Sequence, residues 1–196
     1  MRNSIIIASL AVCMMACENP FSTRRTEAPN TSQSQWIPPH TPEDVITNLV
    51  FAIQERNSEN YMRCFMDDPE SSHAFHFEPD PEAAALYPYL SQWTWAQEEN
   101  MIQETFALVS QDSSLSLQFP TVIRDVISAD SAAIVRQYRW VIHHNDASLP
   151  KELEGQVEMR MAEGAVGEWG IYQWIDYSIS DLPSASIWKA ALGGTE

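Results

Sequence analysis

Basic residues, cysteine and glycine are scarce in this chain. Lysine and arginine number 11 against 27 aspartates and glutamates, for a net charge of −16. Such a surface repels phosphate backbones, so nucleic acid is not an expected partner. The 6 glycines form no phosphate-cradling loop or nucleophile elbow. His-Glu-x-x-His and Cys-x-x-Cys are both missing, and the acids are dispersed rather than set at calcium-loop spacing. No metal or cofactor is therefore expected. Apolar residues never run longer than about twelve, short of the about twenty that cross a bilayer, which argues against a permanent transmembrane helix.

What is present begins at the amino terminus. Arg2 precedes Ile5, Ile6, Ile7, Leu10, Ala11, Val12, Met14 and Met15, and the small Ala16 stands directly before Cys17. This segment resembles a bacterial lipoprotein signal, with Met14 where such signals usually carry leucine. The resemblance implies a signal peptide over 1–16, lipidation of Cys17 and a membrane anchor of several acyl chains. Cys13 is the competing cleavage position, but its neighbour Val12 is too large for the small-residue slot. An ordinary secretory signal cut near Ala16 is the other reading. With Cys17 lipidated and Cys13 removed, Cys64 stands alone, so an intrachain disulfide is not expected. Glu18 follows the cysteine in place of the aspartate associated with inner-membrane retention, which favours the outer membrane of a two-membrane envelope.

Residues 17–40 are rich in Pro, Ser, Thr, Asn and Gln and read as a disordered tether, near whose end Trp36 and Ile37 are expected to dock on the domain. Residues 41–196 have the size of one domain. Thr41-Pro42-Glu43-Asp44 predicts a helix start, and Val45, Leu49 and Ile53 continue it to about Glu55. Arg56–Asn60 is expected to break it before a short helix carrying Tyr61, Cys64 and Phe65. A short strand over His73–Phe77, a Pro-rich corner and a helix over Trp95–Ser110 follow. Pro120 is expected to separate two β regions. Strands are predicted over Thr121–Ser128, Ser131–His144, Glu152–Ala162 and Gly167–Ile179, forming an antiparallel meander, with a last helix over Ser186–Leu192. In the third strand Leu153, Val157, Met159 and Met161 share one face and Glu152, Glu154, Gln156, Glu158 and Arg160 the other.

This order, with Phe75-His76-Phe77 before Pro79-Asp80 and Trp169-Gly170-Ile171 before Trp174 and Asp176, resembles the cone-shaped superfamily of nuclear transport factor 2, ketosteroid isomerase and scytalone dehydratase. The resemblance implies an α+β fold in which N-terminal helices pack on a strongly curved antiparallel sheet around a conical pocket. His76, Tyr138, Tyr172, Trp174 and Asp176 are the candidate pocket residues. None matches a catalytic position residue by residue, so no catalytic residue is assigned, and His76, between two aromatics on a strand, is expected at the surface. The leading expectation is a lipid-anchored cell-envelope protein, more binding protein than enzyme, that takes a small apolar ligand or an envelope protein. An isomerase, dehydratase or hydrolase using His76 or Asp176, and a structural partner in an envelope complex, stay open. Superfamily members often dimerise through the sheet, which adds a homodimer to the expectations.

Overall fold

Thr41 starts helix α1, Pro42–Glu55. Its hydroxyl accepts from the Asp44 N–H at 3.2 Å while the Asp44 carboxylate accepts from the Thr41 N–H at 2.9 Å. This reciprocal cap, with Pro42 first, satisfies amides that the helix leaves unpaired. Val45, Ile46, Leu49, Ala52 and Ile53 form the buried stripe. The helix ends at Arg56 in the left-handed region, φ 54°. The predicted five-residue break is shorter, because Asn57 caps helix α2, Ser58–Arg63, by accepting from the Asn60 N–H. In the computed structural model the described residues are 34–66, 73–110 and 112–193. The signal, Cys17 and the rest of the tether up to Gln33 lie outside them.

Residues 34–40, which the sequence assigns to the tether, lie along α1. The Gln35 N–H bonds the Glu55 carboxylate at 2.8 Å. Asn48, midway along the helix, accepts from the Ile37 N–H at 2.9 Å and donates to the Ile37 carbonyl at 2.6 Å. The Arg63 guanidinium sits 3.9 Å from the centre of the Trp36 ring. Strap and helix therefore run antiparallel, and the compact unit begins at Ser34.

Strand β1 is His76–Glu78. The Pro-rich corner holds two elements that periodicity did not reveal, helix α3 over Pro81–Leu86 and a 3₁₀ turn over Pro88–Gln92. Asp80 caps α3, accepting from the N–H groups of Glu82 and Ala83, and Pro81 takes the first helical position. Helix α4, Trp95–Leu108, opens with a second reciprocal cap between Thr94 and Gln97.

The long strands are β2 (Leu115–Ile127), β3 (Ser131–Ile142), β4 (Glu152–Glu163) and β5 (Trp169–Tyr177), followed by helix α5, Ala185–Gly193. The sheet order is β1-β5-β4-β3-β2. The four long strands form the expected antiparallel meander. β1 corrects the all-antiparallel expectation by joining β5 in parallel, His76 opposite Gln173. Pro120 does not separate two β regions. It lies inside β2, where the register shifts between Gln118 and Thr121. Phe119 and Pro120 fall in that shift and pair with no residue of β3, so on this edge strand the missing N–H of proline breaks no ladder bond. In β4, Leu153, Val157, Met159 and Met161 are fully buried.

Candidate functional site

The face of the sheet that meets the helices carries the polar groups of interest. Tyr138 on β3 stands opposite Gly155 on β4, and a Cβ at Gly155 would run into the Tyr138 ring and hydroxyl. Glycine here lets the ring lie across β4 toward β5. Tyr138 then donates to Asp176 Oδ1 at 2.8 Å. The second oxygen, Oδ2, accepts from the Ser186 N–H at 2.8 Å and the Ser186 hydroxyl at 2.6 Å. The Ala185 N–H donates to the Tyr138 hydroxyl at 2.7 Å. The start of α5 is thus pinned to β3 and β5, and both oxygens of Asp176 are satisfied. Burial raises the Asp176 carboxyl above its ordinary value, against the lowering effect of the Ser186 and Tyr138 bonds. Burial, joined by the neighbouring Asp176, also drives the Tyr138 phenol well up.

A second cluster lies around Glu98 on α4. Its Oε1 accepts from Tyr61 at 2.7 Å and its Oε2 from the Trp93 indole at 2.7 Å. Lys189 on α5 completes it with an ion pair to Oε2, and both side chains are at least 95 % buried, with 5 % and 1 % exposed. The ammonium also lies 4.7 Å from the centre of the Phe77 ring. Burial pulls the Lys189 ammonium below its ordinary value and the pair with Glu98 opposes that. A charge so enclosed is tolerated only because its partner and rings surround it.

Between the clusters the cone retains a cavity of about 20 Å³. Its wall includes Tyr61, Tyr138, Trp140, Trp174 and Lys189. The volume matches one water and is far below the several hundred Å³ of a substrate pocket. Of the residues singled out from the sequence, Tyr138, Trp174 and Asp176 come together here. His76 is exposed beside Gln173 on the other face. Tyr172 is half-buried, and its ring packs on His73 at 4.8 Å. Sequence reasoning missed Glu98 and Lys189, 91 residues apart; a charged residue on each of two apolar helix faces was the available signal. Cys64 is buried, its thiol pushed up by burial. Among the described residues no group of His, Cys, Asp and Glu could hold a metal ion, and no helix is long and apolar enough to cross a membrane.

A cone of helices on a curved mixed sheet, with its ionisable groups locked inside, defines the class. Comparison with solved structures makes it specific: the chain has the nuclear transport factor 2-like fold. A nuclear transport factor 2-like superfamily protein from Salmonella enterica superposes with a TM-score of 0.53 at 14 % identity, covering 70 % of this chain and 88 % of its own. A protein from Novosphingobium aromaticivorans described as an aromatic ring hydroxylase gives 0.54 at 10 % identity, with 75 % and 92 % covered. A second protein from that organism, described as a scytalone dehydratase, gives 0.50 at 12 % identity, with 72 % and 89 % covered. No family model and no curated protein matches the sequence.

Proposed function

We propose that this is an exported, lipid-anchored protein of the cell envelope whose cone-shaped domain is a non-catalytic binding module, and that it takes a protein partner at the outer end of β2. The observation that carries this reading is the distribution of apolar surface. The cavity between the Asp176 and Glu98 clusters holds only about 20 Å³, whereas Val122, Ile123, Val126 and Ile127 on β2 are 58, 47, 54 and 58 % exposed. Adjacent exposed aliphatic side chains on an edge strand suit contact with another surface. The outer face of the sheet suits it less. There Arg124 pairs with Glu158 at 3.3 Å, Arg160 with Glu158 at 2.9 Å, and Arg160 bonds Gln173 at 3.1 Å, a charged ladder already matched to itself.

Two experiments test the two halves of the proposal. Cys17→Ser should move the protein out of the membrane fraction, and retention there would overturn the anchor. A photo-crosslinking residue at position 126 or 127 of the full lipidated chain should give one discrete adduct in intact cells, abolished by Val122→Asp on the same strand. A ladder of unspecific adducts, or no adduct, would overturn the surface, and an adduct of twice the chain mass would make the partner a second copy.

The isomerase or dehydratase reading rests on one observation, a buried Asp176 with a raised carboxyl beside Tyr138. Such a base is enclosed, with Asp176 only 1 % exposed, so the fold would have to open before a substrate could reach it. Asp176→Asn tests it, because an activity unchanged by that substitution would remove the base.

A further inference from the structure

A cleft of about 510 Å³ is lined by the 3₁₀ turn, the amino-terminal half of α4 and the carboxyl-terminal end of α5. That volume falls within the roughly 300–1,000 Å³ of small-molecule sites. In a chain of net charge −16, its lining is unusual in being almost uncharged: Gln92, Thr94, Gln97 and Asn100 supply amides and a hydroxyl, Glu104 supplies one carboxylate, and no lysine or arginine takes part. Positions 97, 100 and 104 are three and four residues apart, so one stripe of α4 presents all three. Two of the groups are held in place. The Tyr89 phenol donates to the Ala190 carbonyl at 2.8 Å, which fixes an exposed ring at the cleft. The Gln97 Oε1 accepts from the Thr94 N–H at 2.9 Å and from its hydroxyl at 3.0 Å, which turns the Nε2 hydrogens outward from the cap. Gln92, Asn100 and Glu104 are exposed, and their side chains form no hydrogen bond among the described residues.

We propose that this cleft binds a neutral saccharide, with Tyr89 against one face of a sugar ring and Gln92, Gln97, Asn100 and Glu104 bonding its hydroxyl groups. The carboxamides of Gln92 and Asn100 each offer a donor and an acceptor side by side, and the Glu104 carboxylate offers two acceptors. Neighbouring hydroxyls, each both donor and acceptor, match that set. The C–H face of a sugar packs on an aromatic ring through apolar contact and needs no charge. Phosphorylated or carboxylated ligands suit the cleft less, because it has no cation to pair with them and Glu104 repels them. Glycoside hydrolysis uses two carboxyl groups across the scissile bond, and this lining has one, so the sugar is held rather than cleaved. The site is separate from the apolar end of β2 and stands or falls without it.

The test titrates the full chain, labelled with nitrogen-15, with maltose, cellobiose and N,N′-diacetylchitobiose, and with glucose 6-phosphate as the charged control. At least one neutral sugar should shift the side-chain amide signals of Gln92, Gln97 and Asn100 to saturation and be recovered intact, while glucose 6-phosphate leaves them in place. Gln92→Ala and Asn100→Ala, both at exposed positions, should each weaken binding about fivefold, the worth of one hydrogen bond. Tyr89→Ala should weaken it about tenfold through loss of the ring. Should Tyr89→Ala fail to fold, the two amide variants decide the matter. The absence of a saturable shift with all three neutral sugars, equal shifts with glucose 6-phosphate, or an affinity untouched by the amide substitutions would each overturn the site.

Discussion

The core around Glu98 and Asp176 and the outer end of β2 are opposites in how they treat polarity. In the core every carboxylate oxygen has a donor: Tyr61, Trp93 and Lys189 for Glu98, and Tyr138 and Ser186 for Asp176. From Pro120 to Ile127, by contrast, no residue is buried, although the strand is as rich in valine and isoleucine as its neighbours. Composition does not separate the two regions, because what differs is which part of the sheet the helices cover. Where they cover it, the buried carboxylates are fixed in place by their hydrogen bonds. Where they do not, aliphatic surface stays available.

The largest effect should come from Lys189→Ala, which leaves the Glu98 carboxylate enclosed without its cation. A loss of about 3–5 kcal/mol in urea unfolding is expected, and a loss near zero would mean that the pair is open to solvent. Gly155→Ala should come next, at about 1–3 kcal/mol, since the new methyl must displace the Tyr138 ring and with it the bond to Asp176. The pH dependence of the core follows from Asp176. Burial holds its carboxyl above the ordinary 3.8, so folding favours the protonated form. That contribution is complete below about 3.8 and is lost as the pH rises through the raised native value. Asp176→Asn should flatten this part of the stability curve, whatever its effect on absolute stability, and an unchanged slope would contradict the assignment. The smallest effect on folding should be that of Val126→Asp, within about 0.5 kcal/mol of the parent by thermal melting. A large loss there would show that the end of β2 is covered after all.

How much of this was legible in the sequence depended on range. The cap at Thr41 and Asp44 involves residues three apart and could be read directly, as could the alternation of β4, which repeats every second residue. Pro120 misled because proline is a strand breaker in general but harmless at an edge, and edges are set by sheet order rather than by local sequence. Helix α3 escaped because six residues give too little periodicity, although Asp80-Pro81 carries its start signal. Tyr138 and Asp176 stood out as ionisable groups on strands, yet their meeting depends on the missing side chain at Gly155, two strands being needed to see it. Glu98 and Lys189 meet only through the packing of α4 on α5. The charge of each, read alone, pointed toward solvent.

The antiparallel course of residues 34–40 along α1 also bears on how the chain would respond to a pull from its amino-terminal side. Force applied ahead of Ser34 loads the fastenings in series. The bonds of Ser34 and Gln35 to Glu55 and Asn60 open first, then the stacking of Trp36 on Arg63, then the double bond to Asn48, and last the bond that the Pro39 carbonyl accepts from the Trp169 N–H. Each release adds slack without disturbing α1, and the whole strap, extended, is worth about 25 Å at roughly 3.5 Å per residue. The domain thus carries a reserve of leash that lengthens under tension in steps, before any part of the cone has to yield.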